Sequence, residues 1–350
     1  MDLYFNEDAK FTKWVTAAGL LHEPFVLVDV GVQGGEHRHW HLLGDHLVVH
    51  GFDALDEAVA QLRRQNALRS NRHYHAFAAG KRDEVRTFYV NAANPTASSM
   101  FQQGASRFDL ETREQPRKVQ VRRLDTLLTQ GVIPRADFLK VDVEGFELDV
   151  LLGARQLIAA GLLAVETESN FEVSASLRNG HFSAISDILV DHGLHVFDFA
   201  FNRVPRASFQ RALTAKGLPP AAIHQGIGKP STLNVLFCRD AIQEADDAAS
   251  YPAPPGPLGL DQLIKLVIIY ELHGLNDIAV DTVDRFATPL GARLDVRRAI
   301  DLLADPACRD ESLDTALGRR VRELERSTSW RITKPLRALK LALQKISWNA

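Results

Sequence analysis

Three places in this sequence combine residue types and spacings that could do chemistry. The first is Phe25-Val26-Leu27-Val28-Asp29-Val30-Gly31-Val32-Gln33-Gly34-Gly35. Its valine-rich half reads as a strand buried on both faces. Its second half is a turn in which Gly31, Gly34 and Gly35, lacking Cβ, let a ligand come close to the backbone. A strand, a tight turn and a helix start bind a cofactor at the carboxyl end of a parallel sheet. The dinucleotide fingerprint G-x-G-x-x-G requires glycine at position 33, where Gln33 stands. Asp29, two residues before Gly31, suits a cationic cofactor better than a pyrophosphate. S-adenosylmethionine, with its sulfonium and ammonium, is such a cofactor.

The second place is Leu47-Val48-Val49-His50-Gly51-Phe52-Asp53, another apolar run ending in an acid, 22 residues after Gly31. One βαβ step sets Asp53 beside the first strand end. Its carboxylate then accepts hydrogen bonds from two ribose hydroxyls, or caps the helix expected over Ala54–Asn66. The third is Asp142 and Glu144, where the apolar period switches from strand to helix. Acids at a central strand end are costly to bury without a task, and these two are the candidates for removing an acceptor's proton. Glu166, Glu168 and His181 are second choices. Ala78-Ala79-Gly80 leaves room for a flat ring such as adenine, or makes a plain turn. Ser98-Ser99-Met100, inside the polar stretch Asn91–Ser106, is either a substrate lid or a solvated loop.

Other charged residues have plainer readings. Glu147 suits a helix N-terminus, and Lys140 a strand position that snorkels to water. Glu36-His37-Arg38-His39-Trp40-His41 alternates histidines, but residues two apart on a helix share no face, so a solvated helix start is expected there. The acids at the strand ends could also hold a divalent cation.

The elements that position these residues follow from periodicity. Helical spacing runs over Asp8–Leu21, His181–His192, Leu260–His273 and Asp295–Leu303. Strands are expected at Arg72–Ala79, Glu84–Val90, from Lys118 into a short helix, and at Ala136–Val143, Leu162–Glu168, Leu194–Phe201 and Thr232–Cys238. Asn202–Pro230 is a long insertion of the kind that shapes an acceptor site. The chain has 350 residues, a net charge of −3 and 45% hydrophobic residues, which gives no bias toward polyanions such as nucleic acid. Cys238 and Cys308 fit no metal or redox spacing and suit a reducing compartment. The first ten residues lack an apolar core and no apolar run approaches 18 residues, so neither a signal peptide nor a transmembrane helix is expected.

Leu139-Lys140-Val141-Asp142-Val143-Glu144-Gly145-Phe146-Glu147, followed by Leu151 and Gly153-Ala154, resembles the signature of the FkbM-type S-adenosylmethionine-dependent methyltransferases. Arg123-Leu124-Asp125-Thr126-Leu127, Val28-Asp29-Val30-Gly31 and Asp53 match in the same order, so the resemblance covers roughly residues 20 to 240. Val32-Gln33 and Gly35-Glu36-His37 depart from the family's usual Ala-Asn and aromatic. The resemblance implies an α/β fold, the class I (Rossmann-like) methyltransferase sheet of seven mostly parallel strands with an antiparallel final hairpin. It implies S-adenosylmethionine as cofactor, held near Asp29, Gly31, Gly34, Gly35, Asp53, Ala78 and Ala79. It also implies O-methylation of a sugar hydroxyl in a surface polysaccharide or its lipid-linked precursor. The alternatives are a non-catalytic assembly subunit and a methyltransferase of a small metabolite.

Three regions are expected: a methyltransferase domain over 1–240, a proline-rich linker over 241–258, and a helical region over 259–350. In the last, residues 314–350 carry nine Lys or Arg and three acids. Ile332, Leu336, Leu339, Leu343 and Ile346 make an apolar seam flanked by Trp330 and Trp348. This basic amphipathic tail could pack on its own chain, pair with a partner such as a glycosyltransferase, or lie on an anionic membrane. The expected location is cytoplasmic, at or near the inner face of the membrane.

Overall fold

The computed structural model describes residues 3–92, 94–102, 114–171, 180–218, 228–246 and 257–304. In chain order, the elements begin with α1 (Lys10–Ala17), β1 (Phe25–Val30), a 3-10 segment (Arg38–His46), β2 (Leu47–Asp53), α2 (Asp56–Gln65) and β3 (Arg72–Ala76). Then come β4 (Ala78–Ala79), β5 (Glu84–Asn91), β6 (Glu114–Arg122), α3 (Leu124–Thr129), β7 (Phe138–Val141), α4 (Glu147–Leu152) and α5 (Arg155–Ala159). β8 (Ala164–Asn170), α6 (Phe182–Val190), β9 (Leu194–Val204), α7 (Ala207–Ala215) and β10 (Lys229–Arg239) follow. Helices α8 (Ala241–Asp246), α9 (Leu260–Leu272), α10 (Asn276–Arg285), α11 (Ala287–Leu290) and α12 (Val296–Leu303) close the described chain.

Seven strands form one sheet in the order β3-β2-β1-β7-β8-β10-β9. It is parallel from β3 through β8, and β10 runs antiparallel to both β8 and β9. This is the class I methyltransferase sheet, α/β with an antiparallel final hairpin. The central strand β1 is buried at all six positions. Phe25 and Leu27 face one apolar core, and Val26, Val28 and Val30 the other. That double burial explains why the run has no polar alternation. Among the described residues, no helix is long and apolar enough to cross a membrane.

Three local expectations need correction. Arg72–Ala79 is not one strand. It breaks at Phe77, so that β3 stays in the large sheet while β4 pairs with β6 in a separate sheet ordered β4-β6-β5. The cause lies next door, where a Cβ on Gly80 would stand 2.7 Å from Val121 and 3.1 Å from Phe146, so the chain is drawn against another layer. The segment at Glu36–His41 is not a solvated helix start. Trp40 and His39 are buried, and Trp40 packs on Phe25 and Phe138. Glu36 accepts hydrogen bonds from Arg72 Nε (2.7 Å) and Tyr74 Oη (2.9 Å).

The third correction concerns the region after residue 258. Met1–Leu303 groups as one compact unit, so α9 is no appendage to the sheet domain. Leu263–Leu272 is buried throughout. Lys265 Nζ bonds both oxygens of Asp137, at 3.0 and 2.9 Å, at the amino end of β7. The Glu271 carboxylate accepts from Phe11 N, Thr12 N and Thr12 Oγ at 2.7 to 2.8 Å, fastening the start of α1. Buried acids held this fully are structural fasteners. The second unit, Ala304–Ala350, carries the expected basic tail and lies outside the described residues beyond Ala304.

Candidate functional site

The carboxyl ends of β1, β2 and β7 border a cleft that opens to solvent. Its polar lining includes Gln33, Asp53, Asp142 and Glu144, and its apolar walls include Phe52, Leu55, Phe88, Met100 and Phe146. Gly31, Ala78 and Ala79 keep the wall low.

Gly31 is the pivot. It has φ +92°, and a Cβ there would stand 1.9 Å from the Asp142 carbonyl oxygen. The turn after β1 is therefore packed against the end of β7, backbone on backbone, which only glycine permits. Gly34 and Gly35 also have positive φ and shape the same turn, a step back from the cleft wall. Asp53 serves two ends at once. Its Oδ1 accepts from Leu55 N at 2.7 Å, fixing the approach to α2, while the residue lines the cleft. Burial raises its pKa, and the Leu55 bond opposes this. Of the two readings the sequence offers, capping is not what is seen: α2 has Leu55 at its N-cap with no side-chain cap, and Asp53 closes the turn before it, while its place in the cleft is compatible with the ligand role.

Beyond the cleft, sheet register assembles a charged row. Asp29 on β1 pairs with Lys140 on β7, and Lys140 with Glu166 on β8. Residues in register on parallel strands face the same way, so the three stand side by side. Lys140 Nζ also reaches Asp142 Oδ2 at 3.2 Å. Lys140 is thus an organiser of acids and not a snorkelling surface residue. Burial opposes its charge, yet Asp142, Asp29 and Glu166 together raise its pKa, so it remains cationic. Asp29 is 2% exposed, its Oδ1 has no hydrogen-bond partner, and it does not line the cleft. Burial pushes its pKa up to about 7, with Lys140 pulling the other way.

Glu144 has φ +54°, the one non-glycine residue with positive φ among the described residues. Such backbone costs on the order of 1–3 kcal/mol and persists where neighbours hold it. Two neighbours do. Ser99 Oγ donates to the Glu144 carbonyl at 2.8 Å. The Glu147 carboxylate accepts from Val143 N (3.2 Å) and Gly145 N (2.9 Å), bracing the turn from below. Burial pushes Glu147 up to about 8, those backbone bonds opposing the rise. Its role is this brace, more than the helix-dipole role its sequence position suggested. The polar stretch at Ser98-Ser99-Met100 is a strap over the cleft. Ser99 pairs with Tyr89 of β5, and Pro95, Thr96, Ser98 and Met100 line the cleft wall. The remainder of that stretch, from residue 103, lies outside the described residues.

Of the second choices, Glu166 joins the charged row. His181 lies at the start of α6, where its ring accepts from Ser183 N. Sequence reasoning missed Gln33, Phe88 and Phe146 in the cleft and, beside the charged row, His273 just after α9, whose Nε2 stands 4.0 Å from Glu166 Oε2. Gln33 was legible only as a missing glycine. No local signal could have placed His273, which is 107 residues from Glu166 in the chain. Among the described residues, no group of three or more His, Cys, Asp or Glu could hold a metal ion.

S-adenosylmethionine fits this arrangement. A glycine cradle, two alanines, apolar walls and a carboxylate at the β2 end are what an adenosyl group needs, and the acids beside β7 suit a cationic centre.

Residues 29–199 match the profile of the methyltransferase FkbM domain. A curated relative, the AMB antimetabolite synthetase AmbE of Pseudomonas aeruginosa, is 28% identical over 123 residues, covering 35% of this chain and 6% of that protein. The structure of methyltransferase FkbM from Methylobacillus flagellatus is similar at 17% identity and a TM-score of 0.34, over 64% of this chain and 47% of that one. The N-methyltransferase NodS of Bradyrhizobium japonicum is similar at 10% identity and a TM-score of 0.30, over 66% and 98%. The chain thus spans a small fraction of the curated relative and under half of the first structure. Residues 29–199, just under half of the chain, thus match the methyltransferase FkbM domain, the S-adenosylmethionine-dependent type that the sequence resembles.

Proposed function

We propose that the chain is an O-methyltransferase acting on a sugar hydroxyl of a surface glycan or its lipid-linked precursor. The observation that carries this reading is Asp142. It lines the same cleft as Gly31 and Asp53, and its carboxylate is anchored by Lys140 while remaining exposed. When bound, S-adenosylmethionine supplies a methyl group made electrophilic by its sulfonium. Asp53 would hold the ribose hydroxyls, and the turn at Gly31 with Ala78 and Ala79 would hold the adenosyl portion. A sugar hydroxyl attacks poorly until its proton is taken. Asp142 is the carboxylate placed to accept that proton, and Lys140 fixes its orientation. Ser99 and Glu147 hold the Glu144 turn, which borders the acceptor side. The remaining work is positioning, which is worth much of the barrier in a bimolecular transfer.

A small-metabolite acceptor is the second reading. It is favoured by the AmbE similarity, because that relative is named as a synthetase of an antimetabolite. The test is incubation with methyl-labelled S-adenosylmethionine and glycan or metabolite extracts, followed by mass analysis. Label in an O-methyl sugar is the expected result. Label in a small metabolite selects the second reading, and binding without transfer to any fraction indicates a non-catalytic subunit.

A further inference from the structure

The segment after β9 has a composition unlike the rest of the chain. Between Asp198 and Asp240 there is no acid, while six Lys or Arg occur, in a protein of net charge −3. The described part of this segment contains α7, which has no buried residue among those whose side chains are described. Phe209 and Leu213 lie four positions apart on this helix, so they share one face. Phe209 is 41% exposed, and Phe199 before the helix and Leu218 after it are more than half exposed. Arg206, Arg211 and Lys216 are exposed. Among the described residues, no acid pairs with them. The Arg203 guanidinium lies over the Phe201 ring at 4.8 Å, so aromatic and cationic groups share one surface.

A short helix in an aqueous domain normally buries its apolar side chains against the body. One that leaves them exposed beside cations, with no acid nearby, has the composition of an interfacial helix. We propose that α7 and its flanks dock on an anionic phospholipid surface. Phe199, Phe209 and Leu218 would enter the headgroup boundary, and Arg206 and Lys216, each three positions from the Phe209–Leu213 face, would lie at the phosphates. Charge complementarity selects this occupant, because the cations have no acids of their own to answer. The topology gives the docking a use. β9 is parallel to β7 and three strands from it, so its carboxyl end opens on the same edge as the cleft, about 15 Å away at normal strand spacing. An acceptor presented at a lipid surface would reach that edge.

The test is flotation of the full chain with vesicles of phosphatidylcholine, with and without phosphatidylglycerol. It does not depend on methyl transfer. The full chain should float with the anionic vesicles and release in high salt. A variant carrying Arg206→Glu and Lys216→Glu should lose roughly a hundredfold in partition coefficient. Phe209→Ala should lose about tenfold. Both keep their thermal melting profile, because they change exposed side chains. A control with Arg331→Glu, Lys334→Glu and Arg337→Glu in the C-terminal tail should still float. The proposal is overturned if the α7 variant floats like the wild type, if only the tail variant fails, or if the chain ignores anionic vesicles and instead binds single-stranded RNA through the same residues.

Discussion

Two buried aspartates sit near opposite ends of the same central strands, and they are held in opposite ways. Asp137, at the amino end of β7, receives Lys265 Nζ on both oxygens and Val26 N at 2.7 Å. Asp29, at the carboxyl end of β1, has an oxygen with no partner at all. Burial raises the pKa of both; for Asp137 the Lys265 charge and bond work against it. At the amino end both Asp137 oxygens have been answered by another part of the chain, and the result is a fastener. At the carboxyl end, burial and charge are left partly unanswered, next to a cleft and a strained Glu144. Incomplete satisfaction marks the end that handles ligands, and the contrast can be broken experimentally from either side.

The largest effect is expected from Asp142→Asn. It keeps the shape but removes the proton acceptor, so methyl transfer should fall roughly 10²–10⁴-fold while cofactor affinity stays near normal. Full activity in a turnover assay would remove Asp142 from the mechanism. Asp137→Ala should do the reverse. It leaves the buried Lys265 ammonium with only the exposed Glu23 at 4.0 Å, which costs about 3–5 kcal/mol of stability, visible in denaturant unfolding; the folded fraction should keep its cofactor affinity. Equal stability would mean that the amino end is not the fastener described.

Asp29 gives a pH signature. Its folded pKa of about 7 lies above the ordinary 3.8, so the native state holds a proton that the unfolded chain has released. Stability from this group is full below pH about 4, falls as pH rises, and is lost above about 7. Glu147, raised to about 8 by its burial, acts in the same direction over a slightly higher window. Asp29→Asn should flatten part of this decline in unfolding experiments across that range, and an unchanged slope would contradict the assignment. The smallest effect is Ser99→Ala. Loss of one hydrogen bond to the Glu144 carbonyl should cost about 1 kcal/mol, read as a several-fold drop in kcat/KM. No change would mean that the strap does not hold the turn.

The parts that were legible in the sequence are those whose signals are local. The valine run of β1, the glycine at 31, the acid at 53 and the strand-to-helix switch after Val143 each report on a few neighbouring residues, and the fold follows from them. What was not legible depends on long-range partners. Glu36 looks like a surface acid until Arg72 and Tyr74 are brought to it. Lys265 looks like a helix surface position until Asp137 meets it. The break at Phe77 arises from close packing of Gly80 against Val121, which periodicity cannot register. Lys140 reads as a strand lysine with Asp142 two residues on, and only sheet register adds Asp29 and Glu166.

The central claim is that the cleft at the carboxyl ends of β1, β2 and β7 binds S-adenosylmethionine, with Asp53 on its ribose. Calorimetric titration of the cofactor into the wild type and Asp53→Ala tests it most directly. Hydrogen bonds to a charged group are worth roughly 1.5–3 kcal/mol, so the variant should bind about ten- to a hundredfold more weakly with its unfolding profile little changed. Equal affinity in the two proteins would contradict the claim.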